Sequence, residues 1–130
     1  MTSVHAYALV FLGAGLGGAL RHGVNLAALH WLGAGFPYGI FAINVTGSLA
    51  IGLLWGWLGL HAGSDWAPWT RLFLATGVMG GYTTFSAFSL DAVALIEQEA
   101  FGLAALYAIG SVVASVAACG LGVAAGRALG

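Results

Sequence analysis

The sequence predicts an all-α membrane protein of four transmembrane helices, the third broken near its middle. Three observations predict it. Of 130 residues, 61% are hydrophobic and only 5% are charged, whereas soluble domains carry about a quarter charged residues. The apolar residues fall into four blocks, approximately 5 to 30, 38 to 60, 70 to 97 and 101 to 127, each long enough for the roughly 20 residues of a spanning helix. Inside the third block, the stretch from Gly77 to Ser89 packs three glycines and four serines or threonines into thirteen positions. Glycine costs about 1 kcal/mol against alanine inside a helix, and β-branching at Thr83 and Thr84 adds to that.

The first block opens on His5 with no lysine or arginine before it, and its apolar pattern resumes after Arg21. It therefore reads as a retained membrane helix rather than a cleaved signal. Gly13 and Gly17 form a small-xxx-small pair suited to close helix packing. Arg21 is about 24 Å along the helix from His5, near the far edge of a core of roughly 30 Å. It stands equally for a snorkelling anchor and for an electropositive vestibule that gathers anions.

Gly33-Ala-Gly-Phe-Pro37 is a loop signal before the second block. That block carries Ser48, Gly52 and Gly56 at spacings of four, again a packing ridge. Asn44 is its one amide, and an amide in lipid must face protein or water. An interhelical hydrogen bond and a place on a polar path account for it equally well. A second loop, from His61 to Pro68, brings Trp66 and Trp69 to the interface.

Non-helical backbone at membrane depth is tolerated only where protein or a water-filled cavity covers it, so the break in the third block marks a site. Phe85 and Phe88 follow it, three apart, and the positive edges of their rings suit an anion. Glu97-Gln-Glu99 is a tight turn into the fourth block. There Gly122 and Gly126 make a further packing pair, while Tyr107, Ser111, Ser115 and Cys119 share one helix face. The three hydroxyls in register form a polar track. Cys119, the lone cysteine, reads as a small buried apolar residue.

Hardly any chain lies outside the blocks, so residues 1–130 form one transmembrane domain acting within the bilayer. A near-balanced charge excludes nucleic acid as a partner. No nucleophile, base and orienting group stand at usable spacings, which excludes an enzyme. No carboxylate is expected on the Asn44 and Tyr107 faces, and donors with few acids favour an anion over a cation. Four helices are thin for enclosing a polar path, so a homo-oligomer is expected, most simply a two-fold dimer. Arg71 and Arg127 at one end against Arg21 toward the other give little orientational bias, which allows dual topology.

Taken together, Gly17-Gly18-Ala-Leu-Arg21, Phe36-Pro-Tyr-Gly39, Asn44-Val-Thr-Gly47-Ser48 and the stretch from Gly77 to Ser89 resemble the Fluc fluoride channels, also called the CrcB family. The resemblance spans nearly the whole chain. It implies an antiparallel, dual-topology homodimer in the bacterial plasma membrane that exports fluoride passively through two pores. By the same resemblance the pore residues are Asn44, Phe85, Phe88, Tyr107, Ser111 and Ser115; Arg21 is assigned to the vestibule on its position and charge alone. It also implies a structural sodium ion at the dimer centre, held by backbone carbonyls around Gly77 and Gly80 or Thr83. The chain departs from the family pattern at Ile40, Ala87 and Asp91, and the resemblance assigns no role to those positions. The rival reading is a small dual-topology, proton-coupled multidrug exporter, which requires a membrane-embedded carboxylate. Helix one has none, and Asp91 is the only acid in the interior of an apolar block, Glu97 standing at the end of the third.

Overall fold

The computed structural model describes residues 2–130, and among these the regular structure is helical throughout, with no strand. α1 (Ser3–Leu32) begins at Thr2, whose hydroxyl accepts from the His5 amide, and ends at Gly33, which takes the left-handed φ of 78°. α2 (Tyr38–Gly59) starts after Pro37, and α6 (Phe101–Ala128) follows a turn in which Glu99 has φ 58°. These three helices are each long and apolar enough to cross a membrane. The chain is a multi-pass membrane protein, and its outer surface fits lipid: Phe11 is 78% exposed and Val116 68%.

Residues between α2 and α6 form a succession of shorter elements. α3 (Ala67–Thr70) runs into a π-helical segment, Arg71–Met79, and then into one turn, α4 (Gly80–Tyr82). Thr83 and Thr84 are extended, with ψ of 156° and 121°. α5 (Phe85–Glu97) then begins, capped by the Thr84 hydroxyl, which accepts from the Ala87 amide at 3.2 Å.

The glycines do work other than breaking the chain. A Cβ on Gly13 would lie 2.9 Å from Gly77 Cα, one on Gly17 would lie 2.7 Å from Tyr82 N, and one on Gly81 would lie 2.8 Å from Ala14 Cα. Gly77 and Gly81 are therefore where α1 reaches backbone contact, and both sit in helical turns. The expectation that the glycines themselves interrupt the helix is corrected here, because helix propensity is silent about a partner backbone. The extended residues are the two threonines.

The largest interface joins α2 to α6, and α1 packs chiefly on the π-helical segment. Along the first seam a Cβ on Gly52 would come to 3.0 Å from the Cys119 carbonyl carbon. A Cβ on Gly56 would be 3.0 Å from Arg127 N, one on Gly122 2.8 Å from Leu53 N, and one on Gly126 2.9 Å from Trp57 N. Small residues let helices touch backbone to backbone where lipid offers no hydrophobic drive. Further along the same pair, Ile40, Ile43, Leu95, Ala104 and Tyr107 form a small buried core beside Phe36 and Phe88. At the opposite end, Trp57, His61 and Trp66 stack on one another, and Arg71 lies 4.9 Å over the Trp55 ring.

Candidate functional site

A continuous helix would hand the Thr84 amide to the Gly80 carbonyl. Instead Thr84 N–H donates to Asn44 Oδ1 at 2.9 Å, and Asn44 Nδ2 donates to the Thr84 carbonyl at 3.0 Å. Arg21 Nη1, from α1, donates to the Thr83 carbonyl at 3.3 Å. The Thr83 hydroxyl donates back to the Met79 carbonyl at 2.9 Å. Two helices thus each send one polar side chain to backbone groups that the extended residues leave unpaired, a requirement wherever water is excluded. An amide has two N–H donors, so Asn44 keeps one beyond this clamp.

Beside the clamp lies a cleft of about 250 Å³ that brings together Asn44, Phe85, Phe88, Ser111 and Ser115, with Ser48, Thr83 and Thr84 also on its wall. Ser111 Oγ and Ser115 Oγ are inaccessible and without a hydrogen-bond partner among the described residues. Helical serines ordinarily bond back to their own carbonyls, and a buried hydroxyl left unpaired costs about 1–3 kcal/mol. The Phe85 and Phe88 rings stand 5.5 Å apart, with Phe85 78% exposed. The N-terminus of α5 lies at the same wall, adding the positive end of a helix dipole.

Tyr107 lies outside this cleft. It is fully buried, its ring 5.1 Å from Phe88 and edge-on to Phe36, and its hydroxyl donates to Asp91 Oδ2 at 3.1 Å. The expectation of no carboxylate on the Tyr107 face is thereby corrected. The turn at Glu97 to Glu99 folds α5 back along α6, which sets residues sixteen apart in sequence against each other.

One further space adjoins the cleft, and a second adjoins that one. Thr84 is shared with a vestibule of about 520 Å³, whose polar lining is Arg21, His22, Asn25 and Ser86. Asn25 and Ile40 are shared in turn with a space of about 260 Å³ that holds Asp91 and Gln98. Gly39 makes room for Asn25, since a Cβ there would lie 3.1 Å from Asn25 Cα. Sequence reasoning passed over Asn25, His22 and Ser86. The missed signal was the helical spacing of His22 and Asn25 with Arg21, together with the rule already applied to Asn44, that an amide in an apolar block needs a partner.

The carbonyls expected to hold sodium differ in their freedom. The Gly80 carbonyl is released from its usual partner by the Asn44 clamp, and a Cβ on Gly80 would meet no neighbour closer than the Ala75 carbonyl at 3.8 Å. The Thr83 carbonyl already accepts from Arg21 but retains a second lone pair. The Gly77 carbonyl accepts from the Gly80 amide, and Gly77 itself is pressed against Gly13. Gly80 and Thr83 therefore fit a cation better than Gly77 does.

Comparison with known proteins gives relatives of matching length. A protein of Methylobacterium nodulans named fluoride-specific ion channel FluC is 57% identical over 122 residues, 94% of this chain and 96% of its own. A second of that name, from Rhodopseudomonas palustris, is 53% identical over 123 residues, 95% of this chain and 98% of its own. One from Nitrobacter hamburgensis, named fluoride-specific ion channel FluC 2, is 57% identical over 110 residues, covering 85% and 87%. The family described as "CrcB-like protein, Camphor Resistance (CrcB)" matches residues 8–123, nearly the whole of the transmembrane chain, which therefore belongs to the CrcB family.

Proposed function

We propose that this chain is a fluoride channel, not an enzyme, and that it lets fluoride leave the cell passively. The observation that carries this reading is the pair of unpartnered hydroxyls, Ser111 Oγ and Ser115 Oγ, on one cleft with Asn44 and two phenylalanine rings. Fluoride is small and strongly hydrated, so it enters low dielectric only where fixed donors replace its water. The spare Asn44 N–H, the two serine hydroxyls and the positive ring edges are such donors, and no carboxylate lines the cleft. The names of the relatives point to the same ion.

In this reading residues 67–97 make a fourth crossing, interrupted at Thr83 and Thr84. Two copies pair antiparallel, each inserted in the opposite sense, to give two pores. The exposure of Phe85 supports pairing, because a cleft with one open wall needs a second copy to seal it. Tyr107 acts from behind the cleft, steadying Phe88 and Asp91. A structural sodium ion at the two-fold axis would take carbonyls of Gly80 and Thr83 from both copies, supplying positive charge that ties the two breaks together. Asp91, the acid an exporter would need, accepts the Tyr107 hydroxyl.

The test is fluoride efflux from liposomes holding the purified protein, with chloride as control and sodium varied. Fluoride is expected to leave and chloride to stay, and both Asn44→Asp and Phe85→Ile are expected to cut the rate sharply. Wild-type rates in both variants would sink the site assignment. Proton-coupled uptake of a lipophilic cation, with no fluoride flux, would sink the function.

A further inference from the structure

The chain has three arginines and no lysine, and two of the three are accounted for. Arg21 donates to the Thr83 carbonyl. Arg127 stands in the last turn of α6, where the helix dipole favours a cation. Arg71, at the head of the π-helical segment, lies 4.9 Å over the Trp55 ring of α2. That contact holds the guanidinium in place while leaving its fork of N–H donors available. Among the described residues no hydrogen bond or ion pair engages it, and Asp65, the acid at this end of the molecule, does not pair with it.

Beside Arg71 a groove of about 260 Å³ runs between α2 and the π-helical segment, with Ile51, Leu54, Trp55 and Leu58 on one wall and Arg71 and Thr76 on the other. From Leu58 to Ile51 it follows α2 for about 10 Å. Only Arg71, Thr76 and Trp55 bring polar side-chain atoms to it. Such walls cannot replace the hydration shell of a small anion in transit, unlike the cleft of Ser111 and Ser115. They suit a molecule with a negative head and an apolar tail. Trp66 and Trp69, partly exposed at the same end, mark the membrane–water boundary where such a head sits. A larger apolar space of about 430 Å³, bordered by Leu53, Leu74 and Met79, has no charged side chain, so nothing there selects one head group over another.

We infer that the Arg71 groove binds one anionic glycerophospholipid, its phosphate on Arg71 and the upper part of one acyl chain against Ile51, Leu54 and Leu58. The site is independent of the ion the chain carries, and it lies toward the Gly59 end of α2, away from the Asn44 clamp. A guanidinium meets a phosphate with two parallel hydrogen bonds. A zwitterionic lipid offers the same phosphate but adds an ammonium that Arg71 repels. One basic residue at the membrane surface is worth roughly fivefold in preference for the anionic lipid.

The experiment is native mass spectrometry of the delipidated protein in neutral detergent, given equal amounts of phosphatidylglycerol and phosphatidylcholine with identical acyl chains. Inorganic phosphate is added separately as a competitor. Wild type is expected to hold one phosphatidylglycerol per chain, about fivefold in preference to phosphatidylcholine, and phosphate at the same concentration should leave it in place. Arg71→Gln should hold both lipids equally, Arg71→Lys should keep part of the preference, and Arg127→Gln should keep all of it. Melting curves verify that the variants fold. If Arg71→Gln does not, Trp55→Leu, which removes the ring beneath the guanidinium, should lower the preference instead. A preference undiminished in whichever of these two variants folds overturns the proposal, as does its absence from wild type. Equal loss in Arg127→Gln overturns it too, because the preference would then follow overall surface charge. Displacement by phosphate would make the ligand a free anion, and lipid carried by single chains but never by paired ones would mean that a second copy covers the groove. Either result rules out the lipid.

Discussion

Replacing Asn44 with alanine removes both halves of a clamp at once. Thr84 is 9% exposed, its amide donates to Asn44 Oδ1 at 2.9 Å, and its carbonyl accepts from Asn44 Nδ2 at 3.0 Å. Without the side chain, two backbone groups beside the cleft lose their partners. Each buried group left unsatisfied costs about 1–3 kcal/mol, and water admitted by the smaller side chain recovers part of it, which leaves about 2–4 kcal/mol for the pair. Melting of the purified protein in detergent should therefore drop by several degrees, and fluoride flux should fall with it. Thr70→Ala is the control: its hydroxyl bonds back to the Trp66 carbonyl of its own turn at 3.1 Å on an exposed face, so its loss should cost well under 1 kcal/mol. Asn44→Asp separates the two roles of the residue, since it keeps an acceptor for the Thr84 amide but sets a carboxylate against the Thr84 carbonyl and the anion path. It should depress flux more than stability. An Asn44→Ala protein that melts like wild type would refute the clamp, whatever its flux.

Two further outcomes follow from the packing and from the unpaired hydroxyls. Gly17→Val drives a side chain into the Val78 carbonyl and the Tyr82 amide and should cost 3 kcal/mol or about that, or prevent folding. Gly15→Ala, with nothing within 4 Å of its Cβ, should leave melting unchanged or raised by about 0.5–1 kcal/mol equivalent. Ser111→Ala with Ser115→Ala deletes hydroxyls that have no partner, so stability should hold or rise by up to about 1 kcal/mol while fluoride flux drops. Parallel loss of flux and stability in that pair would mean that the hydroxyls serve the fold.

The long apolar blocks were legible because hydropathy over about twenty residues is a strong signal in a chain with so few charges. The block from 5 to 30 appears as Ser3–Leu32 and that from 101 to 127 as Phe101–Ala128. The packing role of Gly13, Gly17, Gly52, Gly56, Gly122 and Gly126 was legible too, from spacing alone. What sequence could not supply was pairing at long range. Whether Gly77 breaks a helix or admits a neighbour depends on Gly13, and Arg21 meets Thr83 across 62 positions. Tyr107 looked like a member of the hydroxyl track because it shares the phase of Ser111 and Ser115, yet Phe36 and Phe88 enclose it. Helical phase gives direction but not depth.

The seam of Gly52, Gly56, Gly122 and Gly126 has a consequence for anion size. Asn44 and Ser48 sit on one of the two helices it joins, and Ser111 and Ser115 on the other. Where helices touch through side chains, rotamer changes let the gap between them breathe. Here backbone rests on backbone, and there is no side chain to rearrange, so the separation of the facing donors is set by the van der Waals thickness of two peptide chains. A bulkier halide would have to pry apart a joint in which backbone rests on backbone, whereas a small one need not. Discrimination by size would then be a property of the frame, and enlarging any one of the four glycines should alter it from a distance.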